Sequence, residues 1–392
     1  MASSSIADIT PSLPEQTHAP TSYRRVVVKA GTTLLTKGED RLNPESMTTL
    51  VEQITKLRSK SVEVILVTSG AVAAGRHVLK NTREGRGIPF KQVLAAAGQA
   101  RLMHAYEQLF DCHKVPVAQA LLSRRDLTER LGYLNVRNTL TSLMELGVIP
   151  IVNENDVVAV DELSGEIFGD NDNLSAMVAN LVDADLLVML GQVEGLFTAD
   201  PHLDPNAKLV SVVNQFDGEI EAMAGGSWSN SGQGGMVTKL EAARLATASG
   251  VDVVVASGLE SDVLFRLTMM EKIGTFFPAT GSKVESRKRW MLSGLSTKGR
   301  IVVDEGAVRV LKDEKKSLLP AGVILVEGSF SRGDIVAIRD LNGNQIAVGI
   351  TNYGSDDLDK IKGHQSKEVE KMLGYQFGEE VVHRNNMVSL KS

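Results

Sequence analysis

Two lysines stand beside glycines in settings that suit a polyphosphate. Lys29 ends the apolar run Arg25-Val-Val-Val-Lys29 and is followed by Ala30-Gly31-Thr32-Thr33. Lys239 closes the stretch Gly225-Gly226-Ser-Trp-Ser-Asn-Ser-Gly232-Gln233-Gly234-Gly235-Met236-Val237-Thr238-Lys239. Glycines let backbone N–H groups close on an anion, and a glycine-rich loop running into a helix is a phosphate cradle by geometry. Lys239 falls in the first turn of that expected helix, where a cation opposes the helix dipole. A bound polyphosphate would account for it. The chain has no GxxxxGK[ST], and Val237 stands where a GxGxxG would need its third glycine, so the usual P-loop and dinucleotide fingerprints are excluded.

Two more blocks are unusually polar. Val152-Asn153-Glu154-Asn155-Asp156 and Gly169-Asp170-Asn171-Asp172-Asn173 together hold eight amides and carboxylates. Capping the helix that follows needs only one of them. The others suit a small zwitterion: carboxylates hold an ammonium, and amides hold a carboxylate. Calcium is the competing ligand, but an EF-hand needs its glycine in mid-loop and a distal Glu, and Gly169 precedes this cluster. Thr68-Ser69-Gly70-Ala71 leaves another strand for a helix start, which is either an anion site or a plain βα turn.

Together these sets point to phosphoryl transfer onto a carboxylate. The transition state is loose, so a protein mainly positions groups and neutralises charge. Lys29 and Lys239 would hold the non-bridging oxygens, Asp172 would orient both ammonium groups, and Mg²⁺ would screen the phosphates. A carboxylate acceptor is already ionised at neutral pH, so no general base is needed.

These residues sit at the ends of expected strands. Runs rich in Val, Ile and Leu without polar alternation (Arg25–Lys29, Val62–Val67, Val115–Leu122, Val148–Val152, Leu186–Leu190, Val251–Ala256) read as strands covered on both faces. Helical patterns lie between them: one opened by Asn43-Pro44, then Lys91–Phe110, Asn135–Leu146, Asn173–Val182 and Met236–Ser249. The alternation predicts a three-layer α/β/α domain with a largely parallel sheet, whose ligands bind beyond the strands' carboxyl ends. After Pro278-Ala-Thr-Gly-Ser282 the character changes to short strands at Ile301–Val303, Val323–Val326, Asp334–Ile338 and Gln345–Val348, with glycine turns at Gly328, Gly333 and Gly343. The expected organisation is a disordered tail over 1–22, an α/β domain over 23–277, a linker over 278–286 and a small mostly-β domain over 287–388.

Composition sets the outer limits. The 392 residues have a formal charge of −6, with 43% hydrophobic and 4% aromatic residues, which excludes collagen-like, coiled-coil and mostly disordered classes. The one cysteine, Cys112, excludes an intrachain disulfide framework and any multi-cysteine metal site, and the reducing cytosol is the natural compartment. No run of 18 apolar residues is present, so no membrane span is expected. Residues 1–22 contain no Lys or Arg, unlike a secretory or mitochondrial leader.

The loops as a set resemble the amino acid kinase family, and within it the glutamate 5-kinases. The matching blocks are Val27-Val-Lys-Ala-Gly-Thr-Thr33, Val67-Thr-Ser-Gly-Ala-Val-Ala-Ala-Gly-Arg76, Val152–Asp156, Gly169–Asn173, Gly195-Leu-Phe-Thr-Ala-Asp-Pro201 and Gly234-Gly-Met-Val-Thr-Lys239. The last hundred residues resemble a PUA domain through Val303-Asp-Glu-Gly-Ala307, Leu318-Leu-Pro-Ala-Gly322 and Gly328-Ser-Phe-Ser-Arg-Gly-Asp334. The resemblance implies ATP-dependent phosphorylation of the 5-carboxylate of L-glutamate, the first step of proline synthesis, with proline as feedback inhibitor and a homo-oligomeric assembly. By position it implies that Ser69, Asp156, Asp170 and Asn171 bind glutamate, and that Lys29, Lys239 and Asp172 serve the transfer. ATP would lie against Lys29, Gly31, Gly191, Gln192, Gln233, Gly234, Gly235, Met236, Val237, Thr238 and Lys239. The stretch Val157–Phe168 would be the loop beside the amino-acid site, where proline also acts.

The chain departs from the family pattern on the nucleotide side. Gly191-Gln192 stands where Thr or Ser and then Asp are usual, Gln233 replaces Thr, Ala30 is a smaller residue, and Phe197 replaces Tyr. Altered ATP affinity or nucleotide preference is the expectation. Three rivals stay open: a kinase for another acidic substrate, a regulator that lost nucleotide binding, and an RNA-binding protein acting through the PUA-like part. For the last, residues 283–392 carry only 18 Lys+Arg against 15 Asp+Glu, short of a clear basic patch.

Overall fold

The computed structural model describes residues 23–79, 87–158, 171–201, 203–224, 235–283, 297–314 and 316–389. The expected tail, the last three residues of the expected linker (284–286) and most of the loop expected over Val157–Phe168 therefore lie outside the described residues, as do Asp170, Gln233 and Gly234.

The first part of the chain runs β1 (Arg25–Ala30), α1 (Thr32–Thr36), α2 (Pro44–Ser59), β2 (Glu63–Thr68), α3 (Ala71–Val78), α4 (Gly87–Asp111), β3 (Val117–Leu122), α5 (Arg124–Thr128), α6 (Arg130–Glu145) and β4 (Ile149–Glu154). It continues through α7 (Asn171–Leu181), β5 (Leu186–Gly191), α8 (Gly218–Ala224), α9 (Met236–Thr247), β6 (Asp252–Ser257), α10 (Val263–Thr268) and β7 (Thr275–Phe277). The seven strands form one sheet in the order β3-β4-β2-β1-β5-β6-β7. Every pairing is parallel except that of β7 with β6.

The valine run of β1 explains its central place. Val26, Val28 and Ala30 enter one apolar core and Val27 enters the other, on the opposite face of the sheet. In β2, Val64 and Leu66 face the first core while Ile65 and Val67 face the second. Alternating side chains that are apolar on both sides need a helical layer over each face, which is the expected α/β/α arrangement.

Helix starts follow local chemistry. Asn43 accepts a hydrogen bond from the Ser46 N–H, and Pro44 occupies the first turn of α2. Three helices begin earlier than the sequence pattern suggests, among them α4, expected from Lys91 and starting at Gly87. The helix expected from Asn135 starts at Arg130, behind Glu129 in extended conformation as its N-cap. The helix expected from Asn173 starts at Asn171, which puts Asp172 into its first turn, where a carboxylate favours the dipole.

Helices α3 and α4 cross in near backbone contact. A Cβ on Gly75 would lie 1.9 Å from the Leu94 carbonyl oxygen, and one on Gly98 would lie 1.9 Å from that of Ala71. Only glycine fits either place, and the crossing carries the residue after Gly98 toward the end of β2.

The second sheet has five strands: β8 (Gly299–Val303), β9 (Val323–Gly328), β10 (Ile335–Arg339), β11 (Gln345–Ile350) and β12 (Met387–Ser389), ordered β12-β11-β10-β8-β9. Helices α11 (Glu305–Lys312), α12 (Ser355–Ile361) and α13 (Val369–Leu373) complete it. One face of this sheet lies on α6: Leu134 packs with Ile335, Val348, Ile350 and Val388. Arg332 donates to the Asn135 side-chain oxygen at 2.7 Å across the same contact.

Candidate active site

The carboxyl ends of β1, β2, β4 and β5 meet at one edge of the large sheet, and the residues singled out for chemistry converge there. Lys29 lies near the end of the central strand, with Val67 of β2 and Met189 of β5 as its sheet neighbours. Strands β2 and β4 lie to one side of it and β5 and β6 to the other. A ligand group above Lys29 can thus reach both halves of the sheet.

The centre is one carboxylate between two ammonium groups. Lys29 Nζ is 2.6 Å from Asp172 Oδ1, and Lys239 Nζ is 3.0 Å from Asp172 Oδ2. All three residues are buried, Asp172 to 0% exposure. Burial alone would raise the Asp172 pKa, but the two ammonium groups outweigh it and hold the carboxyl well below the usual carboxylate range. Two ammonium groups thus face one carboxylate in a poorly solvated place. Asp172 also gives the cation in the first turn of α9 a local partner.

Thr238 belongs to the same unit. Its hydroxyl lies 2.9 Å from Asp172 Oδ2 and 2.9 Å from the Gly235 carbonyl oxygen. Both partners accept only, so its single proton is shared between them, and the ionised carboxylate is the stronger acceptor. The side chain is 4% exposed and faces Asp172. Met236 is packed in the second core, while Val237 points outward and Gly235 is exposed. From Gly235 to Val237, the helix start thus presents backbone and the exposed Val237 side chain. Gly235 caps α9 and Gly70 caps α3, neither with a side-chain cap bond. Gly70 has φ 103°, a left-handed conformation costly for any other residue.

On the β2–β4 side, Ser69, Asn153 and Asn171 are joined. The Asn171 side-chain nitrogen donates to Ser69 Oγ at 3.0 Å and to Asn153 Oδ1 at 3.1 Å. Asp156 is half-buried in the turn directly after β4. Gln99 of α4 joins them, accepting from the Asn153 amide at 2.9 Å. Sequence reading did not find Gln99. Its only signal was a polar residue in α4 directly after a glycine, which means nothing until α3 and α4 are seen to cross at that glycine.

On the β5–β6 side, Gly31 N–H donates to the Leu190 carbonyl at 3.2 Å, tying the loop after β1 to the end of β5. Gly191 lies beside Lys239: a Cβ there would be 4.0 Å from Lys239 Cε. Gln192 is exposed, and its amide donates to the Thr33 carbonyl at 3.1 Å.

The amino acid kinase family model matches residues 24–257, and a PUA domain model matches residues 299–373. The chain belongs to the glutamate 5-kinases of the amino acid kinase family. A glutamate 5-kinase from Dehalococcoides mccartyi is 54% identical over 93% of this chain and 98% of its own length. Glutamate 5-kinases from Herpetosiphon aurantiacus and Shewanella oneidensis are each 48% identical, over 94% of this chain and 98% of their own lengths. In this glutamate 5-kinase the three-layer α/β part holds the charged centre, and the smaller mostly-β part is the PUA domain. No helix among the described residues of the kinase is long and apolar enough to cross a membrane.

Proposed function

We propose that the chain transfers the γ-phosphoryl group of ATP to the 5-carboxylate of L-glutamate, giving L-glutamyl 5-phosphate and ADP. The observation that carries this reading is the pair of ammonium groups, 210 positions apart in sequence, held on the two oxygens of one buried carboxylate. A glutamate oxygen attacks phosphorus as the bond to the β-phosphate oxygen breaks, and ADP leaves with that electron pair. Lys29 and Lys239 neutralise charge on the non-bridging oxygens, and Asp172 fixes where both ammonium groups point. Glutamate lies on the β2–β4 side, against Ser69, Asp156, Asp170 and Asn171. ATP lies on the β5–β6 side, against Gly31, Gly191, Gln192 and the segment Gln233–Lys239.

Mg²⁺ fits as a companion of the phosphates. Both oxygens of Asp172 already face ammonium groups, which makes it a poor metal ligand, and among the described residues no group of three His, Cys, Asp or Glu side chains could hold a metal ion. The ion would screen charge between the β- and γ-phosphates.

The product is an acyl phosphate, and we place the reaction as the first step of proline synthesis in the cytoplasm, with proline as the feedback inhibitor at the glutamate side. We take 23–277 as the kinase domain and 287–388 as the PUA domain, and a homo-oligomer as the working assembly. Trapping with hydroxylamine tests the activity directly: glutamate, Mg²⁺ and ATP should yield a hydroxamate. None would be formed by a regulator that lost its nucleotide site at Gly191-Gln192, or by a protein acting only on RNA.

A further inference from the structure

Gln99 belongs to the chain of amides that includes Asn153 and Asn171, and no sequence motif singles it out. The reasoning starts from one backbone donor. The Glu154 N–H donates to the Asn153 side chain at 2.9 Å, and an N–H can only donate, so the atom it meets is Asn153 Oδ1. The Asn153 nitrogen must then face Gln99, which has to present its oxygen, at 2.9 Å. Asn171, bonded to the same Asn153 Oδ1 at 3.1 Å, has to present its nitrogen, whose other hydrogen goes to Ser69 Oγ at 3.0 Å. One N–H thus fixes the direction of three side-chain amides.

Two atoms remain over in this chain of bonds. Among the described residues, Gln99 Nε2, a donor, and Asn171 Oδ1, an acceptor, are both shielded from solvent and meet no hydrogen-bond partner. A buried amide atom left unpaired is costly, and at a binding site it marks where a ligand atom belongs. The two sit on either side of the Asn153 amide, one a donor and one an acceptor. A group carrying an anion and a cation side by side satisfies both.

We propose that Gln99 Nε2 donates to the α-carboxylate of glutamate while Asn171 Oδ1 accepts from its α-ammonium, so that Gln99 selects for a free α-carboxylate. This rests on the glutamate kinase reading above and adds to it the recognition of the non-reacting end of the substrate.

The test uses the full-length enzyme, hydroxylamine trapping, and two acceptors: L-glutamate and its α-amide, in which the α-carboxylate is neutral and the 5-carboxylate is intact. Gln99→Glu keeps an oxygen for Asn153 and replaces the free donor by a charged acceptor. It should raise KM for glutamate about ten- to a hundredfold, the size of losing a hydrogen bond to a charged group. Its KM for the α-amide should fall relative to wild type, because the amide can donate to the new carboxylate. Gln99→Leu should raise KM for glutamate by a similar factor, and by less than about threefold for the α-amide. An unchanged glutamate KM in Gln99→Glu would overturn the proposal, as would an equal loss on both acceptors. A wild-type enzyme that makes no hydroxamate from glutamate would instead remove the kinase reading itself.

Discussion

Asp172 is the residue on which the charged centre turns. Its carboxylate is buried and its folded pKa is depressed by Lys29 and Lys239. A depressed pKa means that the unfolded chain takes up the proton first as pH falls. The stabilisation is therefore present above the unfolded value of about 4 and is lost as pH drops below it toward the folded value. Asp172→Asn should remove the carboxylate that both buried ammonium groups face, costing about 3–5 kcal/mol. Urea unfolding of both proteins at pH 6 and pH 3 measures this, and the gap between them should narrow at the lower pH. Thr238 acts on the same carboxylate. Thr238→Val keeps the shape but removes the proton shared with Asp172 Oδ2, and should lower kcat about tenfold while KM for ATP changes little. Thr238→Ser should restore it. A rise in ATP KM with constant kcat would instead make Thr238 a direct nucleotide contact.

At the scale of elements, the site depends on how strands and helices deliver single side chains. The N-terminus of α7 delivers Asn171 to the amide chain and, one residue later, Asp172 to the lysines. Asn171→Ala should raise the glutamate KM about tenfold or more and leave that for ATP within about twofold; an effect on ATP alone would contradict its place on the β2–β4 side. Helix α6 has a different task, with Leu134 buried against the C-terminal sheet. Leu134→Ala should cost about 2–5 kcal/mol, read as a lower unfolding midpoint in urea.

Much of this was legible in the sequence, and what was missed has physical causes. The strands were readable because apolar runs covered on both faces leave little ambiguity, and Lys29, Asn153 and Gly191 fall at their ends as expected. Lys239 stood out as a cation in the wrong part of a helix, and Asp172, 67 positions earlier, was expected to orient it. Gln99 was hidden because its meaning comes from two glycines at a helix crossing. The docking of α6 on the second sheet was equally hidden, since the apolar residues involved read as ordinary core positions.

For the whole molecule, the order of the sheet is the functional statement. Strand β1 separates a half rich in amides and carboxylates from a half that ends in Gly191 and the start of α9, and it places Lys29 between them. Donor and acceptor can then approach from opposite sides of one charged centre. The most direct measurement is the rate of hydroxamate formation by wild type and Lys239→Ala, alongside calorimetric binding of glutamate to each. The account predicts that the variant loses about a hundredfold or more in rate while its glutamate affinity stays within about twofold. An unchanged rate in Lys239→Ala would contradict it.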